Sequence, residues 1–135
     1  MENKMGQLKH QQITDKVIGA FYAVYNELGF GFLESVYENA LMMALGEAGL
    51  RVKQQDPIPV YFHGQQVGDF RCDILVEDCV ILELKSVKQI SAEHEAQTLN
   101  YLRATDVEVA LILNFGEHPD IKRRVFDNDR KRSRG

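Results

Sequence analysis

Phe70-Arg71-Cys72-Asp73-Ile74-Leu75-Val76-Glu77-Asp78-Cys79-Val80-Ile81-Leu82-Glu83-Leu84-Lys85-Ser86-Val87 is the stretch on which the fold turns. Two runs rich in Val, Ile and Leu, Phe70 to Val76 and Val80 to Val87, are parted by the polar Glu77-Asp78 pair, which predicts an antiparallel hairpin. Side chains alternate across a strand, so Phe70, Cys72, Ile74 and Val76 are expected on one face with Val80, Leu82 and Leu84. Burying that face leaves Asp73, Glu83 and Lys85 together on the other. Only one register does this. Val76 must lie opposite Val80, with Glu77-Asp78-Cys79 as a three-residue loop or an equivalent bulge. A two-residue turn would set Asp73 against Leu82 and scatter the group.

Upstream, Val17, Ile18, Phe21, Val24, Tyr25 and Leu28 recur at helical spacing behind Thr14, the expected N-cap, and stop at Gly29. A second amphipathic helix follows through Leu33, Val36, Tyr37, Ala40, Leu41, Ala44 and Leu45, ending at Gly46 and Gly49. Val52 to Val60 contains Pro57 and Pro59, which fits an edge strand or an irregular extended segment, and His63-Gly64-Gln65-Gln66 reads as a turn. Beyond the hairpin, Ser91 can cap a helix running through Ala96, Leu99, Tyr101 and Leu102 towards Thr105. Val107 to Leu113 is almost wholly apolar, as in a strand covered on both faces, and after a helix it should join the sheet in parallel. The predicted class is α/β, a mixed sheet flanked by helices in the order ααβββαβ, with Ile121 to Phe126 as an optional last strand.

The whole chain of 135 residues is 44% hydrophobic and 27% charged, which suits one domain with a real core and excludes intrinsic disorder. The expected organisation is an arm over residues 1–12, a domain over 13–126 and a basic tail over 127–135. No run approaches the roughly 18 apolar residues of a membrane span, and the first residues lack a signal-like apolar region. Cys72 and Cys79 are too few for a disulfide framework and read as small core residues of a cytoplasmic protein without a membrane partner. Charge is uneven: residues 1–121 hold 9 Lys+Arg and 18 Asp+Glu, residues 122–135 hold 7 and 2. The basic tract, Lys122-Arg123-Arg124 and Arg130-Lys131-Arg132-Ser133-Arg134, is expected to be a solvated tail.

Two carboxylates a few ångströms apart resist joint ionisation unless a cation lies between them. Oxygen-only donors favour Mg²⁺ or Mn²⁺ over zinc, and Mg²⁺ commonly takes one or two carboxylates plus water and substrate phosphate. An ammonium at Lys85 can then stabilise developing charge or activate a nucleophile. The plain alternative is a partly exposed salt bridge between Glu83 and Lys85. No phosphate-cradling Gly-rich loop, Ser/His/Asp arrangement or CxxC pair is present, which disfavours P-loop, serine and thiol chemistry.

Asp73 on one strand with Glu83-Leu84-Lys85 on the next resembles the signature of the PD-(D/E)XK nuclease superfamily, although Cys72 stands where the signature has proline. Gly31-Phe32-Leu33-Glu34-Ser35-Val36-Tyr37 reads Gly-x-x-Glu-x-x-Tyr, and with the hairpin it is similar to the small GxxExxY family of bacterial proteins within that superfamily. Gln97-Thr98-Leu99-Asn100-Tyr101 resembles the Gln-x-x-x-Tyr element of RecB-like nucleases. The resemblance spans about Ile13 to Phe126 and implies a restriction-endonuclease-like core hydrolysing phosphodiester bonds. It implies that Asp73, Glu83 and the Leu84 carbonyl hold the metal, with Glu34 as an outer ligand. Lys85 would orient or activate water, Gln97 would position water or phosphate, and Tyr101 would contact a DNA or RNA phosphate. Tyr37 is read as a core aromatic. A non-catalytic module binding nucleic acid or protein on the same fold, and a homodimer acting by association, are the alternatives.

Overall fold

Six consecutive apolar or amide side chains, Val109 to Asn114, are all buried, and they form the strand on which the rest of the molecule is layered. The computed structural model describes residues 8–131. In chain order these form α1 (Gln11–Leu28), α2 (Glu34–Glu47), β1 (Val52–Phe62), β2 (Gln65–Val76), β3 (Val80–Lys85), α3 (Ala92–Arg103), β4 (Val109–Asn114) and β5 (Asp120–Val125), with a single 3₁₀ turn at Asn128–Arg130. The five strands lie side by side in the order β1-β2-β3-β4-β5. Only β3 and β4 run parallel, joined through α3 as a βαβ crossover requires. The mixed α/β sheet is thus as the sequence predicts, and the optional last strand is real.

One face carries α1 and α2. Val17, Phe21, Tyr37, Leu41 and Leu45 pack there on Ile74, Val76, Leu82, Leu84, Leu111 and Leu113. The other carries α3, with Tyr101 and Leu102 over Cys72, Leu75, Ile81 and Ala110. Tyr37 is fully buried, stacks on Phe115 at 4.4 Å and donates its hydroxyl to the Gly29 carbonyl at 2.6 Å, so the core reading of this residue holds.

Several local expectations need correction. Thr14 is not the cap of α1 but a buried residue in its second turn, its hydroxyl donating to the Gln11 carbonyl; the cap position is His10, at φ 57°. The segment with the prolines is an edge strand, one of the two forms expected of it, but it runs on to Phe62 and β2 begins at Gln65 rather than at Phe70, so β1 and β2 form a long ribbon. Pro57 and Pro59 are tolerated because β1 has a partner on one side only. The basic tract is not a solvated tail over its described part. Lys122, Arg123 and Arg124 belong to β5, where Arg124 pairs with Glu95 and Arg123 donates to the Lys9 carbonyl at 2.6 Å. Lys131 donates to the carbonyls of Thr105 and Val107. Arg132, Ser133 and Arg134 lie outside the described residues.

Candidate active site

The hairpin adopts the register the sequence requires, with Val76 opposite Val80, Leu75 opposite Ile81 and Ile74 opposite Leu82. Its loop is Glu77-Asp78-Cys79, and Glu77 and Asp78 both take positive φ, at 51° and 55°. Such angles are uncommon for residues other than glycine. Here the loop is pinned, for the Glu77 carboxylate accepts from the Arg51 backbone at 2.7 Å and Asp78 meets Lys53 at 3.0 Å.

Past Ile74 and Leu82 the backbone ladder ends, and two side chains take over from it. The Asp73 N–H donates to Glu83 Oε2 at 3.1 Å, and the Leu84 N–H donates to Asp73 Oδ2 at 2.7 Å. On the other flank, Gln55 faces Asp73 between the pairs Gln54–Ile74 and Asp56–Cys72, and its φ of 55° interrupts β1 there. Released from regular pairing on both sides, β2 turns about its axis at Asp73. Cys72 consequently packs under α3 and Ile74 under α1 and α2. The expectation that Phe70 and Cys72 share a face with Ile74 and Val76 is therefore wrong. The two acids come together all the same, because the switch occurs at Asp73 itself.

Asp73 is reached from both layers. Burial above all pushes its carboxyl above the ordinary range, the Leu84 N–H opposes this, and the charges of Glu38 and Glu34 on α2 add to the rise. Glu83 is only 6% exposed. Burial first, and the charge of Asp73 second, lift it from 4.5 to about 8, against the lowering influence of the Asp73 N–H and of Lys85. Lys85 is half-buried, and its ammonium forms no ion pair among the described residues, so the simple Glu83–Lys85 salt bridge is absent there. Glu34, in the first turn of α2, accepts from the Ser86 N–H at 3.3 Å, at the end of β3. Tyr101 on α3 is buried, and after burial itself the charges of Glu83 and Asp73 are what raise its phenol. Gln97, one turn earlier, is exposed and forms no hydrogen bond among the described residues, so it is not drawn into the cluster. His94, between them and Ser91, completes a capping box on the Ser91 backbone.

Two residues of the site were not anticipated. Glu38 is buried on α2, four residues after Glu34 and hence on the same helical side. It accepts from Gln54 at 2.6 Å and from Gln55 at 3.0 Å, while the Gln55 amide also reaches Asp73 at 3.4 Å. The signal was a charged residue inside the apolar repeat of α2. For Gln55 there was none, because its role comes from an unusual backbone angle that its residue type does not announce.

Among the described residues no three His, Cys, Asp or Glu side chains converge into a ready-made metal cage. The donors nevertheless fit a hard cation that keeps water. Two oxygen acids lie on adjacent strands, one of them deeply buried and disfavoured in its charged form by the other, and Mg²⁺ needs no more carboxylates than these. Cys72 does not enter, since burial lifts its thiol to about 12. No helix among the described residues is long and apolar enough to cross a membrane.

No curated protein matches the chain. Among solved structures, the crystal structure of SSO0001 aligns at 13% identity with a TM-score of 0.45, over 93% of this chain and 73% of that one. The sequence profile described as "PD-(D/E)XK nuclease superfamily" matches residues 11–125, from the first residue of α1 to the last of β5. With its mixed five-stranded sheet of restriction-endonuclease-like type, the chain belongs to the PD-(D/E)XK nuclease superfamily.

Proposed function

We propose that this protein is a Mg²⁺- or Mn²⁺-dependent nuclease of the GxxExxY branch, hydrolysing phosphodiester bonds of DNA or RNA in the cytoplasm. Asp73, Glu83 and the Leu84 carbonyl would hold the ion, with Glu34 as an outer ligand. When bound, such an ion polarises phosphate and acidifies water. The chain's own contributions follow from placement. Lys85, one strand repeat beyond Glu83, offers an ammonium to orient water or balance developing charge. Tyr101 and Gln97 on α3 are assigned to the phosphate chain. The observation that carries this reading is the reciprocal clasp of Asp73 and Glu83 across the end of the β2–β3 ladder, with a buried acid that lacks a full countercharge.

The test is cleavage of labelled single-stranded and duplex DNA and RNA in Mg²⁺, in Mn²⁺ and in EDTA. Wild type should cut at least one polymer in metal alone, Asp73→Asn should not, and Lys85→Ala should cut only far more slowly. Cleavage persisting in Lys85→Ala and Glu83→Ala alike would refute it. Binding without cleavage would instead establish a non-catalytic module. Light scattering checks the homodimer that a small core would use to widen its grip on a polymer.

A further inference from the structure

Phe70 lies three residues before Asp73 on β2, and the residue is 46% exposed. It is nonetheless held on two sides. Tyr101 approaches it with ring centroids 6.0 Å apart and planes tilted by 44°. Two residues back along the same strand face is Gly68, where an added Cβ would stand 3.2 Å from Phe70 Cε2 and 3.6 Å from the Val60 Cβ. The missing side chain is what lets the ring lie across the ribbon. Phe70 is thus a fixed, half-open aromatic surface, one ring removed from the phenol that senses Glu83 and Asp73.

We propose that Phe70, seated on Gly68 beside Tyr101, is a stacking platform for one unpaired base of a single-stranded nucleic acid whose backbone passes the Asp73–Glu83 pair. This rests on the nuclease reading of that pair and names its substrate class. A paired base keeps its faces inside the helix and shows only its edges, whereas an unpaired base offers a π-face to any aromatic of suitable exposure. The charge of the chain points the same way. With 16 Lys+Arg against 20 Asp+Glu over the whole chain, net −4, and Arg123 and Arg124 of β5 engaged within the fold, phosphate attraction is weak, and a contact that does not depend on charge has to contribute to attachment.

The test is fluorescence anisotropy with the full chain in Mg²⁺, using labelled dT20, a 20-nucleotide abasic strand of equal charge and a 20-base-pair duplex. Asp73→Asn serves as a background that cannot turn over. In that background the chain should bind dT20 roughly tenfold more tightly than the abasic strand or the duplex, with a shallow salt dependence. Phe70→Leu should bring dT20 down to the abasic level, and Phe70→Trp should keep the preference, which guards against a mere folding defect. Gly68→Ala, which displaces the ring without removing it, should weaken dT20 binding by an intermediate factor. Equal affinity for duplex and single strand, or an undiminished preference in Phe70→Leu, would overturn the proposal. So would a Phe70→Leu protein changed in self-association alone, since the ring would then serve a second copy. The readout needs no cleavage: a Phe70-dependent preference without cleavage would remove the nuclease reading and leave the platform. Cleavage indifferent to Phe70 would do the reverse.

Discussion

Replacing Glu83 with glutamine should make the protein more stable in alkali and less responsive to metal. The sign follows from proton linkage. Glu83 titrates near 4.5 when unfolded and at about 8 when folded, so between those values the folded state holds a proton that the unfolded state has lost. Stability therefore falls as pH rises through this window, by up to about 1.4 kcal/mol per pH unit, and the full loss is on the order of 5 kcal/mol. At roughly 4 °C per kcal/mol for a domain of this size, the Tm of wild type in EDTA should drop by more than about 10 °C between pH 5 and pH 8.5. Glu83→Gln keeps an oxygen for the Asp73 N–H but cannot ionise, so its Tm should fall much less than that of wild type over that range and exceed wild type at pH 8.5. Saturating Mg²⁺ at pH 8.5 should then raise wild type and leave the variant almost unmoved, reversing their order. Thermal melts by circular dichroism, at several pH values with and without Mg²⁺, give the answer. Parallel pH profiles for the two proteins, or an equal gain from Mg²⁺, would refute the claim that Glu83 is a buried acid awaiting a cation.

Lys85→Ala should lower kcat by roughly 10²- to 10³-fold in the cleavage assay while keeping the Mg²⁺-induced rise in Tm, because its proposed part is played at the water and not in holding the ion. Tyr37→Phe removes a hydroxyl that donates to Gly29 and accepts from Phe32, and urea denaturation should show a loss of about 1–2 kcal/mol. Gly116→Ala would place a Cβ 2.1 Å from the Val87 carbonyl, a backbone atom that cannot swing aside, and should destabilise the fold by about 3 kcal/mol on the same measure.

Much of the fold is legible in the sequence because it rests on local signals: the helical period from Val17 to Leu28, the unbroken apolar run of β4, the Ser91 cap. The hairpin register was legible as well, since only one loop length allows Asp73 and Glu83 to meet. What escaped depends on contacts remote in sequence. Lys122 to Arg124 reads as a basic tract until Glu95 and the Lys9 carbonyl, far away along the chain, give two of its side chains partners. Glu38 reads as a stray charge on α2 until Gln54 and Gln55 fold over it. The alternation rule failed at Cys72 for a related reason. A regular pleat presupposes paired neighbours on both flanks, and the positive φ of Gln55, fixed in part by Arg71 donating to its carbonyl at 2.9 Å, removes one of them.

The same interruption that defeats the alternation rule creates the site. Where the β2–β3 ladder stops, the N–H groups of Asp73 and Leu84 lose strand partners, and a half-buried amide left unpaired costs about 1–3 kcal/mol. The carboxylates of Glu83 and Asp73 fill those two places with one oxygen each; the second oxygen of Glu83 remains for a ligand, while that of Asp73 takes only the long 3.4 Å contact from the Gln55 amide. Structure and chemistry are consequently mixed in any alanine substitution here. Asp73→Ala strands the Leu84 N–H and would abolish activity whether or not Asp73 ever meets a metal. The amide variants, Asp73→Asn and Glu83→Gln, keep an acceptor for each N–H and withdraw only the charge, so a loss of Mg²⁺ response in them can be assigned to the ion.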